Sequence, residues 1–435
     1  MEKYLIFNQG STSIRAVIYN RYSLFGELKK LITINCELEK IENGAEFSKA
    51  TFKYKIFVEH ENKKIIESPL KKTNYANLLV KILEIFKKYL QDHNTLLAAI
   101  GIRIVAPGVY FTHHNIIEKQ FLKNLKIALF KDPLHIEPTR ELIAQIQKMF
   151  QNVVLIAISD SQFHNNFPVS SKLYGLKLAL AKKYEIYRYG YHGLSAQSIV
   201  NKLIKRDKLP KKLIICHLGS GSSITAIDNG KSINNSMGFS PLDGLISATR
   251  SGSIDPSAVL YLFKEIKKNL NSSTNFTNKT INANKNLSNN LDQFINFLYN
   301  ENGLLGLSQV SGNMKTLLSF YPDNKKVKTA IDLYCNKIKE YIGAYTALMN
   351  GLDMLIFTGG IGHNAPEIRQ LICSNMEFLS LKLDNFKNCN TNLSDTYISQ
   401  TKDKVKILSM ETDEEYEIAC LTHEIFLNKS RHEQK

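Results

Sequence analysis

Cysteine, acid and long apolar runs are what this sequence has little of, and each shortage excludes something. The 435 residues include six cysteines, Cys36, Cys216, Cys335, Cys373, Cys389 and Cys420. No two of them form a C-x-x-C pair, so neither a zinc ribbon nor a disulfide framework is indicated, and most read as buried apolar side chains. No apolar run approaches the ~20 residues that span a bilayer. The best, Val153 to Ile158 and Met354 to Phe357, have strand length. The N-terminus passes from MEK through Tyr4-Leu-Ile-Phe7 into polar residues, without the apolar core and cleavage site of a secretory leader. The expectation is a cytoplasmic protein with no membrane partner.

Acids are outnumbered, 40 Asp+Glu against 56 Lys+Arg, for a net charge of +16. Such a balance can gather nucleic acid, a membrane surface or an anionic substrate. The lysines, however, occur as dispersed pairs such as 29 and 30, 63 and 64, or 182 and 183. A nucleic-acid binder concentrates them on one arm or helix, so these read as a solvated surface. What the chain does have is 43% apolar residues, over a length that suits about two or three domains with cores of their own.

Strand-like and helix-like patterns alternate, which predicts α/β architecture. One stretch breaks the texture: residues 269–290, NLNSSTNFTNKTINANKNLSNN, read as a surface insertion, and their N-x-S/T triplets as unmodified loop residues. The chain also echoes itself. Residues 4–18, YLIFNQGSTSIRAVI, and 213–227, LIICHLGSGSSITAI, both read as strand, small hydroxyl-rich turn, strand. Two such hairpins suggest two related domains. Each turn is equally readable as an ordinary hairpin connection or as a loop wrapping a phosphate with backbone N–H groups. A third turn, Thr358-Gly-Gly-Ile-Gly-His-Asn364, follows the apolar strand Asp353 to Phe357 and precedes the helical pattern Pro366 to Cys373. That arrangement brings backbone close to a ligand.

Two familiar phosphate motifs are tested first. The P-loop pattern nearly appears around Gly230-Lys231-Ser232, but its first glycine would be Thr225 and the segment reads as a hairpin. Gly360-x-Gly362-x-x-Ala365 satisfies the dinucleotide pattern, with Asp384 about 20 residues on as a ribose-binding acid; an NAD-dependent oxidoreductase is therefore one reading. Phosphoryl transfer is the other. It needs cations around the equatorial oxygens, a metal on the nucleotide and a group that orients the nucleophile. Arg103 at the end of strand Ala98 to Ile102, Asp160 at the end of strand Val153 to Ser159, and Arg250 beside a turn supply that kind of side chain.

At this point the sequence resembles the acetokinase family, the acetate kinases, within the actin, Hsp70 and sugar-kinase superfold. The likeness runs from Asn8 to about Thr422 through NQGSTSIR (8–15), DSQFHNNFP (160–168), RYGYHGLS (188–195), HLGSGSS (217–223), GKSINNSMGFSPLDGL (230–245), TRSGSIDP (249–256), GLLGLSQVSG (303–312), TGGIGHN (358–364) and TDEEYEIA (412–419). The resemblance implies two ribonuclease-H-like (actin-like ATPase) α/β domains flanking a catalytic cleft, whose closure excludes water. Residues 1–161, completed by 412–435, would form the acyl and phosphate domain, and 162–411 the nucleotide-binding domain. The reaction implied is ATP + acetate ⇌ ADP + acetyl phosphate, by direct in-line transfer.

Carried over position by position, the resemblance assigns Mg²⁺ binding to Asn8 and Glu414. Arg103 and Arg250 would grip the carboxylate and the phosphoryl group, Asp160 is the catalytic carboxylate, and His192 stabilises the transition state. The nucleotide site would take Arg15, His217, Leu218, Gly219, Ser220, Gly221, Asn313, Met314, Lys315, Gly360, Ile361, Gly362, His363 and Asn364. Arg103, Val105, Leu134, Tyr191 and Pro241 would line an acyl pocket sized for acetate or propionate. A homodimer is implied as well. The chain departs from the family's usual residues at Ile102, Ala106 and Ala196, where histidines are usual, and at Arg15, Ser253, Asn313, Lys315 and His363. An enzyme is expected over a non-catalytic nucleotide-binding relative.

Overall fold

A computed structural model describes residues 2–10, 13–21, 27–42, 51–60, 63–271, 291–390, 395–400 and 402–433. Most of the Asn-rich insertion and part of the first hairpin turn lie outside them. The chain divides into two compact units: residues 1–165, 193–198 and 413–435, and residues 166–192 and 199–412.

Among the described residues, the first unit is built on an eight-stranded sheet in the order β5-β4-β3-β2-β1-β6-β8-β7. Its strands are β1 (Glu2–Gln9), β2 (Ser13–Arg21), β3 (Leu28–Glu42), β4 (Thr51–His60), β5 (Lys63–Asn74), β6 (Ala99–Ile104), β7 (Asn115–Ile116) and β8 (Val154–Ser159). Strands β1 and β2 form the expected antiparallel hairpin, with Leu5 opposite Ile18 and Asn8 opposite Arg15. β6 lies parallel to β1, and β8 parallel to β6.

Burial explains the sequence texture. Tyr4, Leu5, Ile6 and Phe7 are all fully buried because β1 is covered on both faces, so it reads as an unbroken apolar run. In β4, Phe52, Tyr54 and Ile56 are buried and alternate with more open residues, the pattern of a sheet covered on one face. One face of the sheet carries the helices Tyr75–Asp92 and Pro133–Met149, through Leu79, Ile82, Phe86, Leu142 and Ile146. The other carries the C-terminal helix Glu414–Glu433, whose Ile418 and Ala419 meet Tyr4, Ile6, Ala99 and Ile156. That helix comes so close that a Cβ on Gly101 would collide with the Thr422 hydroxyl.

The second unit has a six-stranded sheet, β11-β10-β9-β12-β14-β13, from β9 (Lys212–Leu218), β10 (Ser222–Asp228), β11 (Lys231–Asn235), β12 (Met354–Thr358), β13 (Thr396–Tyr397) and β14 (Lys406–Ser409). β9 and β10 pair antiparallel, β12 runs parallel to β9, and β14 parallel to β12. The core order β3-β2-β1-β6-β8 in the first unit and β11-β10-β9-β12-β14 in the second is the same ribonuclease-H-like order, so the internal echo of the sequence is an echo of topology. Gly230 sits in the two-residue β10–β11 turn with Asn229, both at positive φ (76° and 49°). The near-match to a P-loop is thus a hairpin turn of the Asn-Gly kind. The long helix Lys325–Leu348 covers this sheet with Val327, Ile331, Tyr334 and Ile338.

Candidate active site

The strand ends position the chemistry. In the first unit, Asn8 is next to last in β1, Arg103 next to last in β6, and Asp160 directly follows β8. Glu414 and Glu415 open the C-terminal helix. In parallel strands of an α/β sheet, side chains at the carboxyl ends gather at one edge, and here they join. Arg103 grips Asp160 with both arms of its fork, Nε to Oδ1 at 3.1 Å and Nη2 to Oδ2 at 3.0 Å. Its Nη1 donates to Asn8 Oδ1 at 3.0 Å and to Glu414 Oε2 at 3.4 Å. Asn8 Nδ2 in turn donates to Glu414 Oε2 at 2.9 Å and to Glu415 Oε1 at 2.8 Å.

Asp160 is completely buried and Glu414 nearly so. Burial works against the Arg103 charge, but Asp160 and Glu414 outweigh it and hold the guanidinium above its ordinary value. Burial, with the neighbouring Glu414 charge second, raises the Glu415 carboxyl, and Arg15 at 3.9 Å opposes that shift. Glu415 is a member of the cluster that the sequence reading passed over. The signal was in view, as the second acid of the TDEE stretch.

The cluster can be tested for a divalent cation. Among the described residues no group of three His, Cys, Asp or Glu side chains could hold a metal by itself. The set offers the amide oxygen of Asn8 and the two carboxylates of Glu414 and Glu415, hard oxygen donors that suit Mg²⁺, a cation that keeps waters and shares its shell with phosphate oxygens. The residues fit the ion.

The second unit assembles a different set. His192 takes a left-handed conformation (φ 57°) just before the helix Gly193–Lys205. Its Nδ1 lies 3.0 Å from Ser223 Oγ, and its ring packs against His217 at 4.2 Å between centroids. Arg250 is buried, donates from Nη1 to the Pro241 carbonyl at 3.4 Å, and places its guanidinium over the Tyr299 ring at 5.7 Å. Gly221 is where these meet: a Cβ there would stand 3.2 Å from Arg250 Nη1 and 3.5 Å from His192. The Tyr191 hydroxyl donates to Phe239 O at 2.8 Å. Of the expected acyl pocket, Val105 and Leu134 fall in the first unit and Tyr191 and Pro241 in the second.

Also in the second unit is a cavity of about 1070 Å³. Gly219, Ser220, Asn313, Met314, Lys315, Gly360, Ile361, His363 and Asn364 of the expected nucleotide residues line it, so three separated sequence stretches converge. Leu218 and Gly362 are buried and do not line it, and the His217 ring packs, tilted, against His192. Arg15 lies on β2 of the first unit, beside Glu415. Asn313 caps the helix Met314–Leu318, accepting from the Lys315 and Thr316 amides at 2.9 and 3.3 Å. Cys389, Glu367 and Ala248 are cavity residues that sequence reasoning missed, for want of any motif.

The dinucleotide alternative fails here. Asp384, its ribose-binding acid, is the N-cap of the helix Asn385–Cys389, accepting from the Lys387 amide at 3.1 Å and pairing with Lys387 Nζ at 3.4 Å. A Rossmann domain also needs a parallel sheet, whereas β9, β10 and β11 are antiparallel.

Comparison with known proteins now decides the family. The acetokinase family model matches residues 3–420. The chain belongs to the acetokinase family. It is 33% identical over 429 residues to the acetate kinase of Pseudothermotoga lettingae, covering 97% of both chains. Among solved structures it resembles a propionate kinase from Francisella tularensis subsp. tularensis SCHU S4 (TM-score 0.79, 30% identity, 98% of this chain and 100% of that one). It also resembles acetate kinase from Entamoeba histolytica (TM-score 0.75, 25% identity, 97% and 99%).

Against this acetokinase background the three absent histidines have a simple local reading. Ile102, Ala106 and Ala196 are all buried apolar side chains, so none of the three carries a polar atom that needs a partner. Ser253 ties the Arg250 loop down, its hydroxyl donating to Asp243 Oδ1 at 2.5 Å.

Proposed function

We propose that the protein transfers the γ-phosphoryl group of ATP reversibly to acetate or propionate, giving ADP and the acyl phosphate. The observation that carries this reading is the buried Arg103–Asp160–Asn8–Glu414 cluster, on a chain whose relatives are acetate and propionate kinases.

A short-chain carboxylate is already ionised at neutral pH, so no base is needed to remove a proton. What the reaction needs is a nucleophile held in line and cations around the oxygens of the phosphoryl group in flight. Asp160, locked by the Arg103 fork, provides a fixed acceptor that orients the reacting groups without moving during the transfer. Arg103 and Arg250 supply guanidinium donors suited to carboxylate and phosphoryl oxygens. His192, anchored through Ser223, donates to the same developing charge. Asn8 and Glu414, with Glu415 beside them, would hold Mg²⁺, which supplies charge neutralisation on the nucleotide phosphates when bound. The 1070 Å³ cavity takes the nucleotide, with residues 360–364 toward the adenosine.

Acetate and propionate differ by one methylene, worth only about 1–3 kcal/mol in an apolar pocket, so both are included. A second copy of the chain is part of the same proposal, on the strength of the family resemblance, and sedimentation velocity tests it. So is a cytoplasmic location, with which the six free cysteines agree. No helix of the described residues is long and apolar enough to cross a membrane.

The test is an assay of ATP, Mg²⁺ and acetate, propionate or butyrate with hydroxylamine to trap acyl phosphate. Acetate or propionate should give the hydroxamate. ATP binding with no hydroxamate from any acid would mark a non-catalytic nucleotide binder instead.

A further inference from the structure

Among the described residues Arg369 is the largest side chain that is fully buried, and no motif pointed to it. It lies on the helix Pro366–Cys373, between core residues Ile368 and Ile372. No carboxylate lies within ion-pair distance of it among the described residues. Its fork is spent on neutral acceptors from two segments. Nη1 donates to the Gly362 carbonyl at 2.9 Å and to the His363 carbonyl at 2.6 Å. Nε donates to Asn388 Oδ1 at 2.7 Å, and Nη2 to the Asn388 carbonyl at 2.6 Å. Asn388 is itself buried and donates from Nδ2 to the Pro366 carbonyl at 3.0 Å.

The two segments so joined both contribute to one cavity lining. Gly360, Ile361, His363 and Asn364 come from the first, and Cys389, directly after Asn388, from the second. The carbonyls that Arg369 takes belong to the last turn of the short helix Gly359–Asn364, where backbone acceptors have no partner within the helix. Burial lowers the guanidinium to about 10, so it remains charged at neutral pH. A buried cation costs stability unless its surroundings replace the lost water, and a fork that reaches two chain segments at once ties them together.

We propose that Arg369 is a positioning residue for nucleotide binding, fixing the Gly359–Asn364 turn and the Asn388–Cys389 segment as two walls of one pocket. This rests on the reading of that cavity as the nucleotide site. Arg369 does not line the cavity; it acts through the carbonyls of Gly362, His363 and Asn388.

The test uses the full chain, with Arg369→Lys and Asn388→Ala as separate variants. ADP is titrated by calorimetry, KM is measured for ATP and for acetate separately, and thermal unfolding without nucleotide monitors the fold. Lysine keeps the charge but lacks the fork, so it isolates geometry from charge. In both variants the ADP dissociation constant and the KM for ATP should rise together by about tenfold or more, with the KM for acetate within about twofold of wild type. A merely structural role would lower the melting temperature and leave ADP affinity unchanged. That result in a folded variant overturns the proposal, as would equal rises in both KM values. If the wild type makes no acyl phosphate, the kinase reading fails while the ADP titration still decides the role of Arg369. A wild type that binds no ADP removes both.

Discussion

The two units share a strand order and differ in everything placed at its ends. Asn8 in β1 and His217 in β9 occupy equivalent places in the repeated hairpins, and so do Arg103 in β6, one residue past the last pair Phe7–Ile102, and Thr358 in β12, paired with His217. In the first unit those positions feed a buried network of three carboxylates, two held by Arg103 and the third, Glu415, by Asn8. In the second they feed a glycine-lined cavity and a pair of closely packed, tilted imidazoles beside Arg250. A sheet fixes where its strand ends lie, and the side chains there decide the chemistry.

The largest expected effect comes from breaking the carboxylate side. Asp160→Ala leaves the buried Arg103 fork without its bidentate partner and should cut turnover by roughly 10³-fold or more, a loss of the size seen when a preorganised group is removed. Steady-state acyl phosphate formation checks it. Circular dichroism should show the fold retained.

Gly101 sharpens the comparison at the level of packing. By register it pairs with Ile6, and the equivalent residue of the second unit, paired with Ile215, is Ile356. The first unit needs glycine because Thr422 of the C-terminal helix sits against it. Gly101→Ala should cost about 1–3 kcal/mol in urea unfolding, and adding Thr422→Ala should return a large part of it. Equal losses in the single and double variants would mean that close packing on Thr422 is not the cause.

These contrasts show what the sequence could and could not reveal. Both hairpins were legible because β1 and β9 are unbroken apolar runs followed by small residues, and the helix from Pro366 to Cys373 lies where its pattern put it. The three strands β3, β4 and β5, from Leu28 to Asn74, were not foreseen. In β3 and β4, exposed charged residues such as Lys29, Lys30, Glu37 and Glu59 interrupt the apolar pattern on the side that faces water. At the site, Arg103, Asp160 and Asn8 were readable from strand ends and motif. Arg369 was not, because a lone arginine on an amphipathic helix reads as solvated until the partners of its fork are seen.

A smaller effect concerns pH. The Glu415 carboxyl is raised in the folded protein, by burial first and by Glu414 second. The folded state therefore binds that proton more tightly than the unfolded chain does. The resulting stability is present below the unfolded carboxyl value of about 4.3 and is lost as pH rises through the folded one. Glu415→Gln keeps an acceptor for Asn8 and has no proton to lose. In urea unfolding it should match or trail wild type in acid and become the more stable chain as pH rises toward neutrality. A difference that stayed flat with pH would contradict the assignment.

A double-mutant cycle on Arg103→Ala and Arg250→Ala tests the proposal that the two chemically unlike clusters act on one phosphoryl transfer. Groups acting on one step are strongly non-additive, so each single variant should lose most of the acyl phosphate rate and the double variant should lose little more than the worse of the two. Losses that multiply, or full activity in either single variant, would show that the two arginines do not work on the same event.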